Sequence, residues 1–103
     1  MGKPGSEGGA PIKNNKMKAS HILVKKLSLA QQIHDELKAG AEFTILAKKY
    51  SECTSRNKGG NLGEFSKDKV VSEFWNGCAK LKVNEISEPV KSQFGYHIIK
   101  RTF

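Results

Sequence analysis

The apolar positions after residue 17 follow two periods, one typical of strands and one typical of helices. The run KASHILVK at residues 18–25 is short, apolar and β-branched, which predicts a buried strand with His21 and Leu23 on one face. A first helix follows, which we expect Ser28 to cap and Gly40 to end. Its apolar residues recur every fourth position: Leu29, Ile33 and Leu37.

Two more helical stripes and a polar segment between them occupy the middle of the chain. The second stripe has the i, i+3, i+4, i+7 spacing of a helix and comprises Phe43, Leu46, Ala47 and Tyr50. The third, with a cap predicted at Ser72, comprises Val71, Phe74, Trp75 and Cys78. The polar segment at residues 51–65 is longer than a simple connector, and its three glycines predict tight backbone. Long segments of this kind usually carry function.

The C-terminal segment, residues 85–103, predicts a closing hairpin. Its two strands would flank a turn from Ser92 to Gly95, with Pro89 at a strand start or at an edge. The order is then strand, two helices, polar segment, helix and hairpin. That order favours the α+β class, with an antiparallel sheet covered by helices.

The sequence divides into a tail and one domain. Residues 1–16 are rich in glycine and lysine and nearly free of large apolar side chains, so we expect a flexible tail there. Residues 17–103 suffice for a single domain with a modest core. No apolar run is long enough to span a bilayer, and the N-terminus lacks the pattern of a signal peptide. A cytoplasmic location is therefore expected, with the nucleus as the second option.

The formal net charge of +8 raises the question of a nucleic-acid partner. No aromatic residues interleave with the lysines of the tail, so a solvated basic surface is favoured over nucleic-acid binding. Cys53 and Cys78 are expected to be free thiols, and they lack the short paired spacing of a structural zinc site. Cys53 with His97 could supply two members of a hydrolase triad, but the sequence contains no nucleophile-elbow pattern.

Three strings of the sequence stand out: SHILVK at residues 20–25, YSECTS with GGNLGEF within residues 50–65, and FGYHIIKR at residues 94–101. In this order, they resemble the parvulin family of peptidyl-prolyl cis/trans isomerases. Together they cover nearly the whole chain after the tail, and three matches in the family's order are far more specific than one. The resemblance implies a four-stranded antiparallel sheet surrounded by helices, in the order strand, three helices, strand, helix and two strands.

The resemblance also implies roles for eight residues. His21 and His97 look like the paired central histidines of the family, and Ser92 looks like the hydroxyl that hydrogen-bonds to them. Cys53 resembles the cysteine at the rim of the site, where some members carry aspartate. The implied proline pocket comprises Leu62, Val70, Phe74 and Phe94. Many members have methionine in place of Val70, so a smaller pocket floor is expected here.

The implied activity is rotation about Xaa-Pro bonds in peptides and unfolded chains, with neither cofactor nor metal. The barrier of about 18–20 kcal/mol comes from amide resonance, so a pocket that favours the twisted amide can act without covalent chemistry. The connection after the first strand is short and contains no arginine, so phosphate specificity is not expected. We expect a monomer that assists protein folding or conformational switching. The alternatives are a non-catalytic peptide-binding or chaperone module and a nucleic-acid binder that uses the basic tail.

Overall fold

A computed structural model describes residues 9–103 of the chain. In chain order, their regular elements are β1 (Lys16–Val24), α1 (Leu27–Lys38), α2 (Phe43–Tyr50), a 3₁₀ helix (Thr54–Lys58), β2 (Asn61–Ser66), a second 3₁₀ helix (Lys67–Lys69), α3 (Ser72–Ala79), β3 (Val90–Ser92) and β4 (Gly95–Arg101). Within this part of the chain, no helix has both the length and the apolar character needed to cross a membrane.

The four strands form one antiparallel sheet in the order β2-β1-β4-β3, as the α+β prediction requires. The central pair, β1 and β4, is in register from Ala19 opposite Arg101 to Val24 opposite Tyr96. The third helix of the implied order is the 3₁₀ helix at Thr54–Lys58. The predicted fold class is therefore confirmed, and the two central strands carry His21 and His97.

The sheet separates two apolar clusters because successive side chains of a strand point to opposite faces. On one face, Ile22, Val24 and Ile98 pack against apolar residues of α1 and α2. On the other face, Met17, Ala19 and Ile99 pack with residues that come mainly from α3 and β2. The two histidines lie on the α3 face, as the predicted alternation along β1 requires.

The predicted helix caps differ from those observed. The helix α1 begins at Leu27 after an extended Lys26, and α3 begins at Ser72 after an extended Val71. Neither cap position uses a side-chain hydrogen bond, so Ser28 and Ser72 lie inside the first turns rather than before them. The predicted end of the first helix is confirmed, because α1 ends just before Gly40, whose φ is +107°.

The polar segment at residues 51–65 is held close to β1. The amide of His21 donates to the Gly60 carbonyl at 2.9 Å, and β2 continues from there as an edge strand. Ala19 pairs with Gly63 and Ser20 pairs with Asn61, which leaves Leu62 as the extra residue of a β-bulge. Bulges redirect side chains beside functional sites.

Part of the segment predicted as a tail contacts the domain. Residues 1–8 lie outside the described residues, but the backbone of Ala10 and Pro11 is hydrogen-bonded to Arg101, and Ile12 packs against the α3-face cluster. Strand β1 itself begins at Lys16, one residue before the predicted boundary.

We expect Gly60→Ala to destabilise the protein far more than Gly63→Ala. Both glycines have positive φ, +89° and +70°, so alanine is strained by about 1–2 kcal/mol at either position. An added Cβ at Gly60 would also lie 2.5 Å from the His21 carbonyl oxygen, whereas at Gly63 it meets nothing within 4 Å. In urea unfolding, the free energy of unfolding should therefore fall by roughly 1–3 kcal/mol more in Gly60→Ala than in Gly63→Ala. Equal losses would contradict the close approach of this segment to β1.

Candidate active site

An open pocket of about 470 Å³ lies on the α3 face of the sheet, at the end where β1 meets the polar segment. Seven of the eight residues singled out from the sequence line it: His21, Cys53, Leu62, Val70, Phe74, Phe94 and His97. The eighth, Ser92, is buried beside it and bonded to His97. Residues from five separate segments of the chain thus come together around one cavity.

The two histidines are joined directly. His21 Nδ1 and His97 Nδ1 are 3.1 Å apart, and the rings stack with centroids 5.2 Å apart. Because an N–H must face a lone pair, the contact holds one proton between the two Nδ1 atoms. The contact therefore cannot form while both imidazoles are protonated, since one Nδ1 must keep its lone pair.

Ser92 extends this contact into the β3–β4 turn. Its Oγ lies 2.6 Å from His97 Nε2 and accepts a hydrogen bond from the Phe94 amide at 3.2 Å. When Ser92 donates its proton to Nε2, His97 must carry its own proton on Nδ1 and donate it to His21. The opposite arrangement reverses each bond, so the hydroxyl satisfies the chain in either direction.

Burial holds the histidine pair in the neutral form. Desolvation, aided by the neighbouring His97, lowers the pKa of His21 from 6.5 to about 4. Desolvation also lowers the pKa of His97 to about 4, against a smaller opposing effect of Glu73. At neutral pH, both rings are therefore uncharged.

Phe74 packs edge-on against both imidazoles. Its ring centroid lies 5.4 Å from that of His21 and 5.5 Å from that of His97, with interplanar angles of 84° and 77°. Phe65 contacts Phe74 in the same T-shaped manner at 5.5 Å. This aromatic packing fixes the apolar wall of the pocket relative to the histidine pair.

Cys53 lies at the rim of the pocket and is half-buried. Its amide donates to Ser51 Oγ at 3.3 Å, and the Leu23 amide donates to the same oxygen at 3.1 Å. Ser51 is only 1% exposed and thereby ties the rim to β1. Sequence reasoning did not single out Ser51, since a serine at the end of a helix resembles any other polar loop residue.

The imidazole nitrogens are not arranged to activate Cys53. Three of the four bond to one another or to Ser92, and His21 Nε2 has no hydrogen-bond partner among the described residues. A nucleophile needs a base within hydrogen-bond reach. Within residues 9–103, no three His, Cys, Asp or Glu side chains converge as metal ligands would.

Four further residues line the pocket that sequence reasoning did not assign to it: Leu23, Asp68, Lys69 and Val71. Leu23 shares a strand face with His21, so strict use of the alternation could have included it. The other three flank Val70, and their placement depends on the second 3₁₀ helix, which carried no clear periodic signal.

Comparison with known proteins identifies close relatives of this chain. The family model "Rotamase: PPIC-type PPIASE domain" matches residues 13–102. Foldase protein PrsA 1 of Bacillus cereus is 58% identical over 87 residues, which cover 84% of this chain and 30% of the relative. The chain thus spans about a third of the length of such curated relatives.

Solved structures agree in fold as well as in sequence. The crystal structure of peptidylprolyl isomerase (PrsA) from Bacillus anthracis superimposes with a TM-score of 0.83 at 46% identity, covering 84% of this chain and 41% of that one. The solution structure of NmPin, the parvuline of Nitrosopumilus maritimus, gives a TM-score of 0.78 at 50% identity and covers 89% of this chain and all of that one.

These relatives overturn the predicted location. The PrsA foldases are extracytoplasmic proteins, so the expectation of a cytoplasmic or nuclear location is wrong. The expectation rested on residues 1–16, which do not show the pattern of a signal peptide. The fold of a domain does not encode its compartment, because targeting depends on segments that can lie far from the domain in sequence.

The neutral histidine pair predicts a loss of stability in mild acid. The unfolded chain takes up protons near pH 6.5, whereas the folded pair does so only near pH 4, so the unfolded state binds more protons between these values. Stability should be complete above about pH 6.5 and fall as the pH approaches 4. Urea unfolding should show a loss on the order of 2 kcal/mol per histidine between about pH 7.5 and about pH 5.

In a double variant, His21→Gln with His97→Gln, the free energy of unfolding should lose most of its dependence on pH. The control variant His34→Gln on α1 should keep that dependence. Equal stability of the wild type at both pH values would contradict a neutral buried pair.

Proposed function

We propose that this chain, which belongs to the parvulin family of PPIC-type peptidyl-prolyl cis/trans isomerases, catalyses rotation about Xaa-Pro bonds. The proposed mechanism involves neither covalent chemistry nor proton transfer. Family membership makes the domain an isomerase. The observation that carries the proposed mechanism is the commitment of three of the four imidazole nitrogens to one another and to Ser92. Such a pair suits a reaction in which no bond to hydrogen is made or broken.

The apolar pocket supplies what this reaction needs. Twisting the amide removes its resonance, so the carbonyl oxygen loses negative charge as the barrier is crossed. A poorly solvated environment favours that less polar arrangement over the planar amide. In our proposal, Leu62, Val70 and Phe74 hold the proline ring, and Phe94, which is 49% exposed, covers the residue beside it.

The histidine pair acts in this proposal as a positioning group. The stacked imidazole rings pack against Phe74 and hold it in place. Ser92 accepts a hydrogen bond from the Phe94 amide and so fixes the β3–β4 turn. A charged imidazole would draw water into the pocket, so the lowered pKa values also keep the site dry. Cys53 shapes the rim and takes no covalent part.

The short connection between β1 and α1 supports tolerance of unphosphorylated substrates. Only Lys25 and Lys26 separate the end of β1 from the start of α1. Lysine binds a phosphate as a point charge, whereas arginine can form a bidentate pair of hydrogen bonds. We therefore propose broad acceptance of residues before proline. We also propose that the domain acts as a monomer.

The names of the relatives support a role in folding. Several are called foldases, and the chain covers about 30% of their length, so we propose that the domain acts on proline-containing segments of unfolded proteins. A peptide-binding module without catalysis would use the same pocket. An isomerisation rate separates the two accounts, because a binding module leaves that rate unchanged.

Leu62→Ala should reduce kcat/KM for Xaa-Pro peptides about tenfold or more, because it removes several methylene groups from the wall of the proline pocket. Exchange spectroscopy by NMR on a peptide panel, with glutamate and phosphoserine before proline, measures this rate. Val83→Ala is the matched control, since Val83 is 46% exposed and does not line the pocket. Equal kcat/KM values for the two variants would contradict a role of the pocket in catalysis. A folded wild type that accelerates no peptide would favour the binding module.

Cys53→Ser should retain activity within about tenfold of the wild type, because rotation requires no acyl intermediate. A nucleophilic cysteine would instead lose a factor of about 10⁴ or more on this substitution. The same exchange assay measures the effect, with circular dichroism to verify folding. A loss of the larger size would refute the non-covalent proposal.

A further inference from the structure

Residues 9–13, here called the strap, fold back along β1 through a tight turn. The Lys16 amide donates to the Lys13 carbonyl at 3.1 Å, and the two residues between them, Asn14 and Asn15, have φ values of +57° and +58°. These are the features of a type I′ turn, in which asparagine is favoured because it tolerates the left-handed region. The Asn-Asn pair therefore directs the preceding residues back onto the domain.

The strap ends at a buried guanidinium. Arg101, the last residue of β4, is fully buried, and its Nη1 donates to the Ala10 carbonyl at 2.8 Å while its Nη2 donates to the Pro11 carbonyl at 2.9 Å. Nη1 also donates to the Leu81 carbonyl at 2.8 Å, and Nε donates to the Phe103 carbonyl at 3.1 Å. One side chain thus binds two successive carbonyls of the strap.

Burial of this cation depends on the strap. A guanidinium presents five N–H donors, and a buried charge is costly unless its donors are satisfied. All four observed acceptors are backbone carbonyl oxygens, and the strap supplies two of them. Without the strap, half of these bonds are lost, and the charge must be exposed to water or left unsatisfied.

The rest of the strap fits the same site closely. The Ala10 amide donates to the Leu81 carbonyl at 3.0 Å, so Ala10 is bonded through both its N–H and its C=O. A Cβ added at Gly9 would overlap the carbonyl oxygen of Ala79 at the end of α3, so only glycine fits there. Pro11 has no N–H to leave unsatisfied and restricts the unfolded strap.

We infer that residues 9–13 belong to the folded domain as an intramolecular peptide ligand, bound by Arg101 and by the C-terminal end of α3. The folding unit then includes residues 9–16, which precede the predicted boundary at Met17. Residues 9–12 precede the range 13–102 that matches the family model, so all of the strap except Lys13 lies outside what that model describes. The strap joins the start of β1, the end of β4 and the end of α3, and α3 carries Phe74 of the pocket wall.

Two truncations test the role of the strap in stability. A variant that lacks residues 1–8 should melt within about 2 °C of the full chain, whereas one that lacks residues 1–13 should melt roughly 5–15 °C lower. Equal melting temperatures of the two truncated forms would overturn the inference. Complete unfolding of the shorter form would support it.

Hydrogen exchange in the full chain tests the contact directly and does not depend on any variant folding. The Ala10 amide, which donates to Leu81, should exchange at least about 100-fold more slowly than an unprotected amide. Exchange at the unprotected rate would overturn the inference whatever the truncations show. Isomerase activity is not the readout, so this test is independent of the proposed function.

Point variants separate the strap from general damage. Gly9→Ala should remove most of the Ala10 protection, and Arg101→Lys should lower the melting temperature as much as loss of residues 1–13, because lysine cannot bond two carbonyls in a planar fork. Because Arg101 also donates to Leu81 and Phe103, the combined loss should exceed either single loss but stay clearly below their sum. Additive losses would mean that Arg101 and the strap act separately, which contradicts the proposed binding.

Discussion

The contact between His21 and His97 is the constraint on which the site depends. It links the two central strands on one face of the sheet, and it is lost when both rings are protonated, since one Nδ1 must accept the shared proton. Burial supplies that condition by lowering both pKa values to about 4. Phe74 packs on both rings, and Ser92 couples His97 to the hairpin turn, so the histidine pair positions both the pocket wall and the β3–β4 turn.

The polar segment at residues 51–65 supplies the other side of the pocket through close backbone approach. Gly60 contacts the His21 carbonyl at a distance that excludes any side chain, and Ser51 accepts hydrogen bonds from both Leu23 and Cys53. The bulge at Leu62 then directs an apolar side chain into the cavity. A segment with few apolar residues of its own is therefore ordered by β1.

Buried polar side chains find their hydrogen-bond partners in two different ways at the two ends of the same sheet face. At one end, neutral imidazoles satisfy each other beside an open apolar pocket. At the other end, a charged guanidinium donates four hydrogen bonds, all to carbonyl oxygens of the strap, of the residues after α3 and of the C-terminus. Helix α3 spans the distance between them, with Phe74 near its start and Leu81 just beyond its end. One short helix, α3, thus connects the hydrogen bonds of Arg101 with the wall of the pocket.

The sequence by itself determined the class of fold, the face of β1 that carries His21 and seven of the residues that line the pocket. Alternation in β1 and helical spacing in α2 and α3 are local properties that burial enforces, and the family strings added the roles expected of His21, His97, Cys53 and the pocket residues. The tertiary structure alone decided the partner of each polar group. Arg101 reads as one more basic residue near the C-terminus, and Ala10 and Pro11 read as part of a glycine-rich tail, because their bonds join positions about 90 residues apart. Such contacts leave no periodic signal, since they depend on where the chain returns and not on which residues are neighbours in sequence.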